Sequence, residues 1–271
     1  MSTGGFPGLW RRRLARCYIF WLVAKTLALI YGLASYALFL ATFFYAIGFV
    51  GNLAVPKSID SGDESAVGQA LFINLVLISL FVLQHSVMVR RGFKRWWTKK
   101  IVPRPLQRST YVLISNLLLA LLFWQWRPMT AIVWEVGHPD AQRLLEILFW
   151  LGWLIALHST FLIDHAALFG LRQVYLYVRD RERAAPKFRM PELYQYVRHP
   201  IMMGFLIAFW ATPVMTLGHL LFALGATLYI LIGIWLEERD LTRLFGEAYR
   251  EYRRRVWMLL PLPRKRPKGE E

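Results

Sequence analysis

From Pro200 through Leu236 the chain runs for 37 residues without an Asp, Glu, Lys or Arg. One continuous helix of that length would extend about 55 Å at 1.5 Å per residue, well beyond a hydrocarbon core of ~30 Å. Two helices of about 18 residues each would cross it twice. Pro213 and Gly218 flank a short stretch in the middle, and both residue types disfavour a helix interior. The stretch therefore predicts a membrane hairpin. A hairpin returns to the side it left, so Arg198 and His199 should meet Glu237 and Glu238 at one membrane face. Charged groups at such a border are paired, functional or snorkelling anchors.

The rest of the chain has the same character. It has 271 residues, 56% of them hydrophobic, and further apolar spans fall near 22–49, 67–89, 109–126 and 144–168. With the hairpin these make six spans: an all-α, polytopic helical membrane protein forming one domain over 1–271. Residues 1–16 read as a short basic tail without a signal-peptide cleavage site, and Lys25 lies close enough to the start of the first span to snorkel. The single Cys17 excludes an intrachain disulfide and a multi-thiolate metal site.

A net charge of +16 would suggest nucleic acid as a partner of a soluble protein. Here the positive-inside rule accounts for it. With six spans and a cytoplasmic N-terminus, 30 of the 33 Lys and Arg lie in cytoplasmic segments, and only Lys57, Arg127 and Arg143 lie outside. Both termini are then cytoplasmic, and the Arg198/Glu237 mouth faces a compartment that holds charged, nucleotide-like cofactors. Beyond Glu238, Leu241, Leu244, Phe245, Ala248, Tyr249, Tyr252 and Val256 fall at helical spacing, which predicts an amphipathic cytoplasmic helix that anchors at the interface or caps the mouth. Arg264 to Lys268 form a polar end.

The C-terminal third resembles the superfamily of isoprenylcysteine carboxyl and phospholipid methyltransferases. The matching residues are Tyr196-Val197-Arg198-His199-Pro200, Gly204, Glu237-Glu238 with Leu241, and Phe245-Gly246 with Tyr249 and Tyr252. Where that superfamily usually has a tyrosine before the glycine, this chain has Ile201-Met202-Met203. Gln84-His85-Ser86, Phe93 to Trp97, Arg108 to Tyr111, His158 to Phe161, Asp164-His165 and Phe169 to Tyr175 are similar to the bacterial methanethiol S-methyltransferase branch, which shares its fold with nitric-oxide-reductase-associated membrane proteins. The resemblance implies S-adenosylmethionine as donor, methanethiol as acceptor and dimethyl sulfide as product, in the bacterial inner membrane, with a cofactor-binding module over 197–261.

On that reading Arg198 grips the donor's carboxylate, since a guanidinium pairs with it bidentately. Glu237 or Glu238 takes the ammonium or ribose hydroxyls, and Tyr196, Val197, His199 and Met203 complete the cofactor site. The acceptor is a small apolar thiol whose thiolate is the nucleophile. His165 is the expected base, oriented by Asp164 or a tyrosine. His85, His158 and Tyr175 are expected in the substrate pocket, with His85 a further candidate base. His158 and His165, seven positions apart, would share a helix face. The three histidines are spread over two spans without short ligand spacing or a cysteine beside them, so no metal is expected. The alternatives are methylation of a lipid or an isoprenylated carboxyl group, which needs a wide lateral opening, and a non-catalytic maturation factor. No obligatory protein partner is implied.

Overall fold

The computed structural model describes residues 7–63, 65–182, 188 and 190–260, with side chains from residue 19 onward. Residues 1–6, the side chains of Arg11 to Arg13 and Cys17, and the end from 261, with Arg264 to Lys268, lie outside the described residues.

Among the described residues ten α-helices follow in order: α1 (Pro7–Gly51), α2 (Val67–Val89), α3 (Arg91–Lys100), α4 (Gln107–Gln125), α5 (Pro139–Ile163), α6 (His165–Leu168), α7 (Leu171–Val178), α8 (Pro200–Trp210), α9 (Leu217–Phe245) and α10 (Glu247–Arg255). A two-stranded antiparallel ribbon joins β1 (Ile132–Glu135) to β2 (Val214–Thr216). Among the described residues five helices are long and apolar enough to cross a membrane, α1, α2, α4, α5 and α9, and α8 is a shorter apolar helix. The protein is a multi-pass membrane protein.

Contacts across the bundle define its two ends. At one end Lys25 meets Asp180, Arg90 approaches Asp240, and Arg108 Nε donates to Leu168 O. At the other, Thr216 Oγ1 donates to Asp60 Oδ1 at 2.5 Å, Lys57 Nζ to Trp124 O, and the indole N–H of Trp126 to Ile59 O. The helices α1, α2, α4, α5, α8 and α9 thus cross in alternating directions, and the second end is closed by the 52–63 loop over fully buried Phe49, Ile59 and Trp126.

The hairpin is present but uneven. The 11 residues of α8 span about 16 Å, half a bilayer core. The helix stops at Trp210 because Pro213 disfavours helical backbone before it, and residues 214–216 leave instead as a strand beside β1. In compensation α8 packs closely along α5. A Cβ on Gly152 would lie 2.6 Å from Gly204 O and Ala208 N, and one on Gly204 would lie 2.5 Å from Gly152 O. Gly152 and Ala156 on one helix and Gly204 and Ala208 on the other form the small-residue seam that lets membrane helices touch backbone to backbone.

Four expectations are corrected. Residues 7–16 are helical backbone continuous with the first span, not a tail. Lys25 does not snorkel: it is 3% exposed, donates to Val178 O and Asp180, and lies under the Trp21 ring, because α7 folds back over α1 and supplies the partners. The fourth span ends at Ile163, not 168, since Asp164 leaves helical backbone and caps α6 by accepting from Ala167 N. The final amphipathic stretch is two helices, because Gly246, at φ +61°, turns the chain between Phe245 and Glu247. That turn carries Tyr249, Tyr252 and Val256 back against Phe188, Leu241 and Phe245.

Candidate active site

The mouth of the hairpin is a buried cluster of charges. Arg198 Nε donates to Glu238 Oε1 at 2.7 Å, and Arg253 Nε lies 2.9 Å from the other oxygen, Oε2. His199 bridges the two acids, with Nε2 3.2 Å from Glu238 Oε1 and Nδ1 3.6 Å from Glu237 Oε2. Arg198 Nη1 donates to the carbonyls of Arg253 and Val256. Backbone bonds zip the end of the chain along the entry to α8: Arg198 N to Trp257 O at 2.8 Å and His199 N to Met258 O at 3.2 Å. Val197 is buried in that pairing. Arg198 and Glu238 are nearly sealed from solvent, with side chains 9% and 7% exposed. Burying two charges is tolerated here because each is paired and further hydrogen-bonded.

Glu237 differs from its neighbour. Protein surrounds it, with His199, Arg108, Tyr194, Tyr229 and Tyr249 all within electrostatic reach, yet half of its side chain is accessible. The lipid-facing flank of α9 is Leu224, Leu228, Leu231, Ile232 and Trp235. Glu237 lies on the opposite side, in line with Tyr229 and Gly233 at spacings of four. Its carboxylate therefore faces a recess inside the bundle. Burial and then the Glu237 charge hold the Tyr194 phenol above its ordinary range, and burial pushes Tyr252 up to about 12, so both stay neutral donors at physiological pH.

Two clefts border the clasp from outside. One, of about 520 Å³, is lined by Arg198, Arg250, Arg253, Arg254, Trp257 and Met258. The other, of about 400 Å³, is lined by Trp235, Glu238, Arg239, Thr242, Arg243 and Arg253. Both are rich in arginine, which suits anionic headgroups and opposes a sulfonium.

Residues 73–259 match the NnrU protein family. The chain belongs to that family. It is 55% identical over 239 residues to a methanethiol S-methyltransferase of Mycobacterium tuberculosis, covering 88% of this chain and 98% of that one. It is 56% identical to methanethiol S-methyltransferase 2 of Bradyrhizobium diazoefficiens, covering 88% and 91%. It is 32% identical to mouse nurim, covering 70% and 74%. The NnrU match takes in the clasp, all of α4 and all but the first six residues of α2.

Within this NnrU-family chain the expected site residues divide. Val197, Arg198, His199, Glu237 and Glu238 come together. Tyr196 lies beside them, 65% exposed, and Met203 is half-buried one helical turn into α8, its N–H bonded to His199 O. His158 and His165 share no face, because the helix breaks between them: His158 points out to Glu192 at 3.4 Å, whereas His165 packs inward. Tyr175 is exposed on α7, where its hydroxyl meets Arg179, and so does not line the recess. Asp164 caps α6 and pairs with Arg172 instead of orienting His165. Tyr36 and Thr160 do that: Tyr36 OH lies 2.8 Å from Nε2 and Thr160 Oγ1 2.7 Å from Nδ1. Thr160 donates its own proton to Leu157 O, so it accepts from Nδ1–H and Tyr36 donates to Nε2. Both nitrogens of His165 are occupied, and its ring stacks on Phe161 at 4.1 Å.

Sequence reasoning missed Arg253, Tyr229 and Tyr36. Tyr229 was detectable, since it stands two helical repeats before Glu237 on the same face. Arg253 and Tyr36 reach their partners only through the turn at Gly246 and the break at Asp164.

Proposed function

We propose that this chain transfers a methyl group from S-adenosylmethionine to methanethiol, releasing dimethyl sulfide, in the bacterial inner membrane with both termini cytoplasmic. The observation that carries the reading is the half-open Glu237 carboxylate at the edge of a clasp whose other charges are satisfied, in a chain 50–56% identical to proteins named for this activity.

The residues present fit such a donor. Glu237, steadied by His199, takes the ammonium or ribose hydroxyls. Arg108, within reach of Glu237, supplies positive charge for the donor's carboxylate. Arg198, with Nε and Nη1 committed inside the protein, positions Glu238, α10 and the 197–199 backbone, and its Nη2 has no hydrogen bond among the described residues. The bound donor supplies an electrophilic methyl on a sulfonium. Neutral Tyr194 stands beside Glu237, Tyr249 packs behind it in the buried cluster under α10, and the closed far end of the bundle keeps water out. The module over 197–261 thus works inside one domain spanning 1–271. Its arginine-lined clefts meet lipid headgroups, and the reading needs no protein partner.

The test is purified protein with S-adenosylmethionine and methanethiol, measuring donor binding and volatile dimethyl sulfide. Saturable binding with dimethyl sulfide formation supports the reading. Donor binding without that product redirects it to a lipid or isoprenylated carboxyl acceptor, and absence of binding to a non-catalytic role.

A further inference from the structure

On α2, little more than one helical turn before Arg90 and so near the clasp end of the bundle, lies a second polar group that the clasp does not use. His85 Nε2 is 2.5 Å from Tyr111 OH, and the His85 ring lies against Phe81 and edge-on to Tyr229. Its other nitrogen, Nδ1, is buried and has no hydrogen-bond partner among the described residues. The surrounding bonds assign the proton. If Tyr111 donated to Nε2, Nδ1 would be a buried N–H with no acceptor, which folded proteins rarely tolerate. The reverse assignment satisfies every donor. Nε2–H donates to Tyr111, the Tyr111 hydroxyl has Ser115 within hydrogen-bonding reach, and Ser115 donates to Gln84 Oε1 at 3.3 Å. Nδ1 is then a bare lone pair in a dry, aromatic setting.

The recess beside Glu237 leads toward it. Tyr229, Gly233 and Glu237 line one face of α9, and a Cβ added to Gly233 would meet nothing within 4 Å. Tyr229 closes the inner end, touching His85 on one side while Ser86 bonds its hydroxyl. Eight residues of helix separate Glu237 from Tyr229, about 12 Å. A donor held at Glu237 therefore has open space over Gly233 for its reactive centre, and the Tyr229 ring stands between that space and His85, so that a swing of the ring brings an acceptor there to Nδ1.

We propose that His85 Nδ1 takes the proton of the acceptor thiol at the inner end of this recess. The assignment rests on the methyl-transfer reading above and replaces His165, whose nitrogens are both occupied. The S–H bond breaks with its electron pair left on sulfur, and the proton goes to Nδ1. A sulfur pair forms the new C–S bond as the old sulfonium C–S bond breaks, its pair returning to the departing sulfur. His85 then returns its proton to water as product leaves. Arg108, Tyr111 and Tyr229 are the titratable groups facing it.

The test compares wild type with His85→Gln and Gly233→Leu, which leaves His85 in place. His85→Gln is expected to bind donor normally and to lose about 10²–10⁴-fold in turnover of methanethiol. The deficit should shrink with trifluoroethanethiol, a more acidic thiol that needs less help to ionise. Gly233→Leu should abolish transfer by filling the recess. Independently of turnover, ¹⁵N spectra of the histidine rings should show His85 protonated at Nε2 and bare at Nδ1, with the Nδ1 signal moving when methanethiol alone is added. An Nδ1–H ring unmoved by thiol overturns the assignment, as does an active wild type with unimpaired His85→Gln. A wild type that forms no dimethyl sulfide overturns the methyl-transfer reading itself.

Discussion

Arg198 Nε meets Glu238 Oε1 at 2.7 Å across 40 positions of sequence, and that contact closes the hairpin at the end where the polar recess begins. Glu238 in turn holds Arg253 and through it α10. The pair ties the membrane hairpin to the C-terminal cap, so the cap's position over the mouth depends on it.

Removing one partner leaves the other charge buried. Glu238→Gln or Arg198→Met should each destabilise the protein by about 3–5 kcal/mol, and the double variant by less than the sum. Thermal unfolding in detergent, arranged as a double-mutant cycle, measures this. Additive losses would mean that the two side chains do not interact.

Which glutamate Arg198 takes was not legible in the sequence. The uncharged run and its charged ends show that the hairpin returns to one face, but Glu237 and Glu238 stand about 100° apart on the helix, and only the rotation of α9 chooses between them. The short first arm was half legible: Pro213 marks the break, while the departure of 214–216 into a ribbon with β1 is a long-range pairing. The break at Asp164 has a local signature, an acidic N-cap before a short apolar run, hidden inside an otherwise continuous apolar segment. Its consequence was large, because it separated His158 from His165.

The α5–α8 seam tolerates no side chain at its crossing. Gly204→Ala puts a methyl 2.5 Å from Gly152 O and 2.6 Å from Ala156 N, both backbone atoms that cannot step aside. The expected loss is about 1–3 kcal/mol, with Gly204→Leu failing to accumulate as folded protein. Melting temperature and monodispersity report it, and a fully stable Gly204→Leu would contradict the packing.

Burial holds His165 below its ordinary 6.5, so it is neutral at physiological pH. The unfolded chain then binds the proton more readily than the folded one, and stability rises with pH across that window. The stabilisation is complete above pH 6.5 and is lost as pH falls through the lowered folded value. Wild type should lose melting temperature faster than His165→Gln between pH 7 and pH 5, and the two should run parallel above pH 7. Parallel curves throughout would place His165 in solvent.

Lys25 is buried with Asp180 as its counter-charge, while Asp180 is largely exposed. Asp180→Asn strands a buried ammonium, whereas Lys25→Met leaves only a solvated carboxylate. Asp180→Asn should therefore cost more stability than Lys25→Met, on the order of 1–3 kcal/mol. Equal effects in thermal melts would show that the pair contributes nothing specific.

The most direct measurement follows a labelled methyl. Wild type and Glu237→Gln are given S-adenosylmethionine carrying a CD₃ group, with unlabelled methanethiol, and the headspace is read by mass spectrometry. The account predicts CD₃–S–CH₃ from wild type and a strongly reduced yield from Glu237→Gln, with weakened donor binding. Unlabelled dimethyl sulfide, no dimethyl sulfide, or a Glu237→Gln protein that binds donor and transfers CD₃ as well as wild type would contradict it.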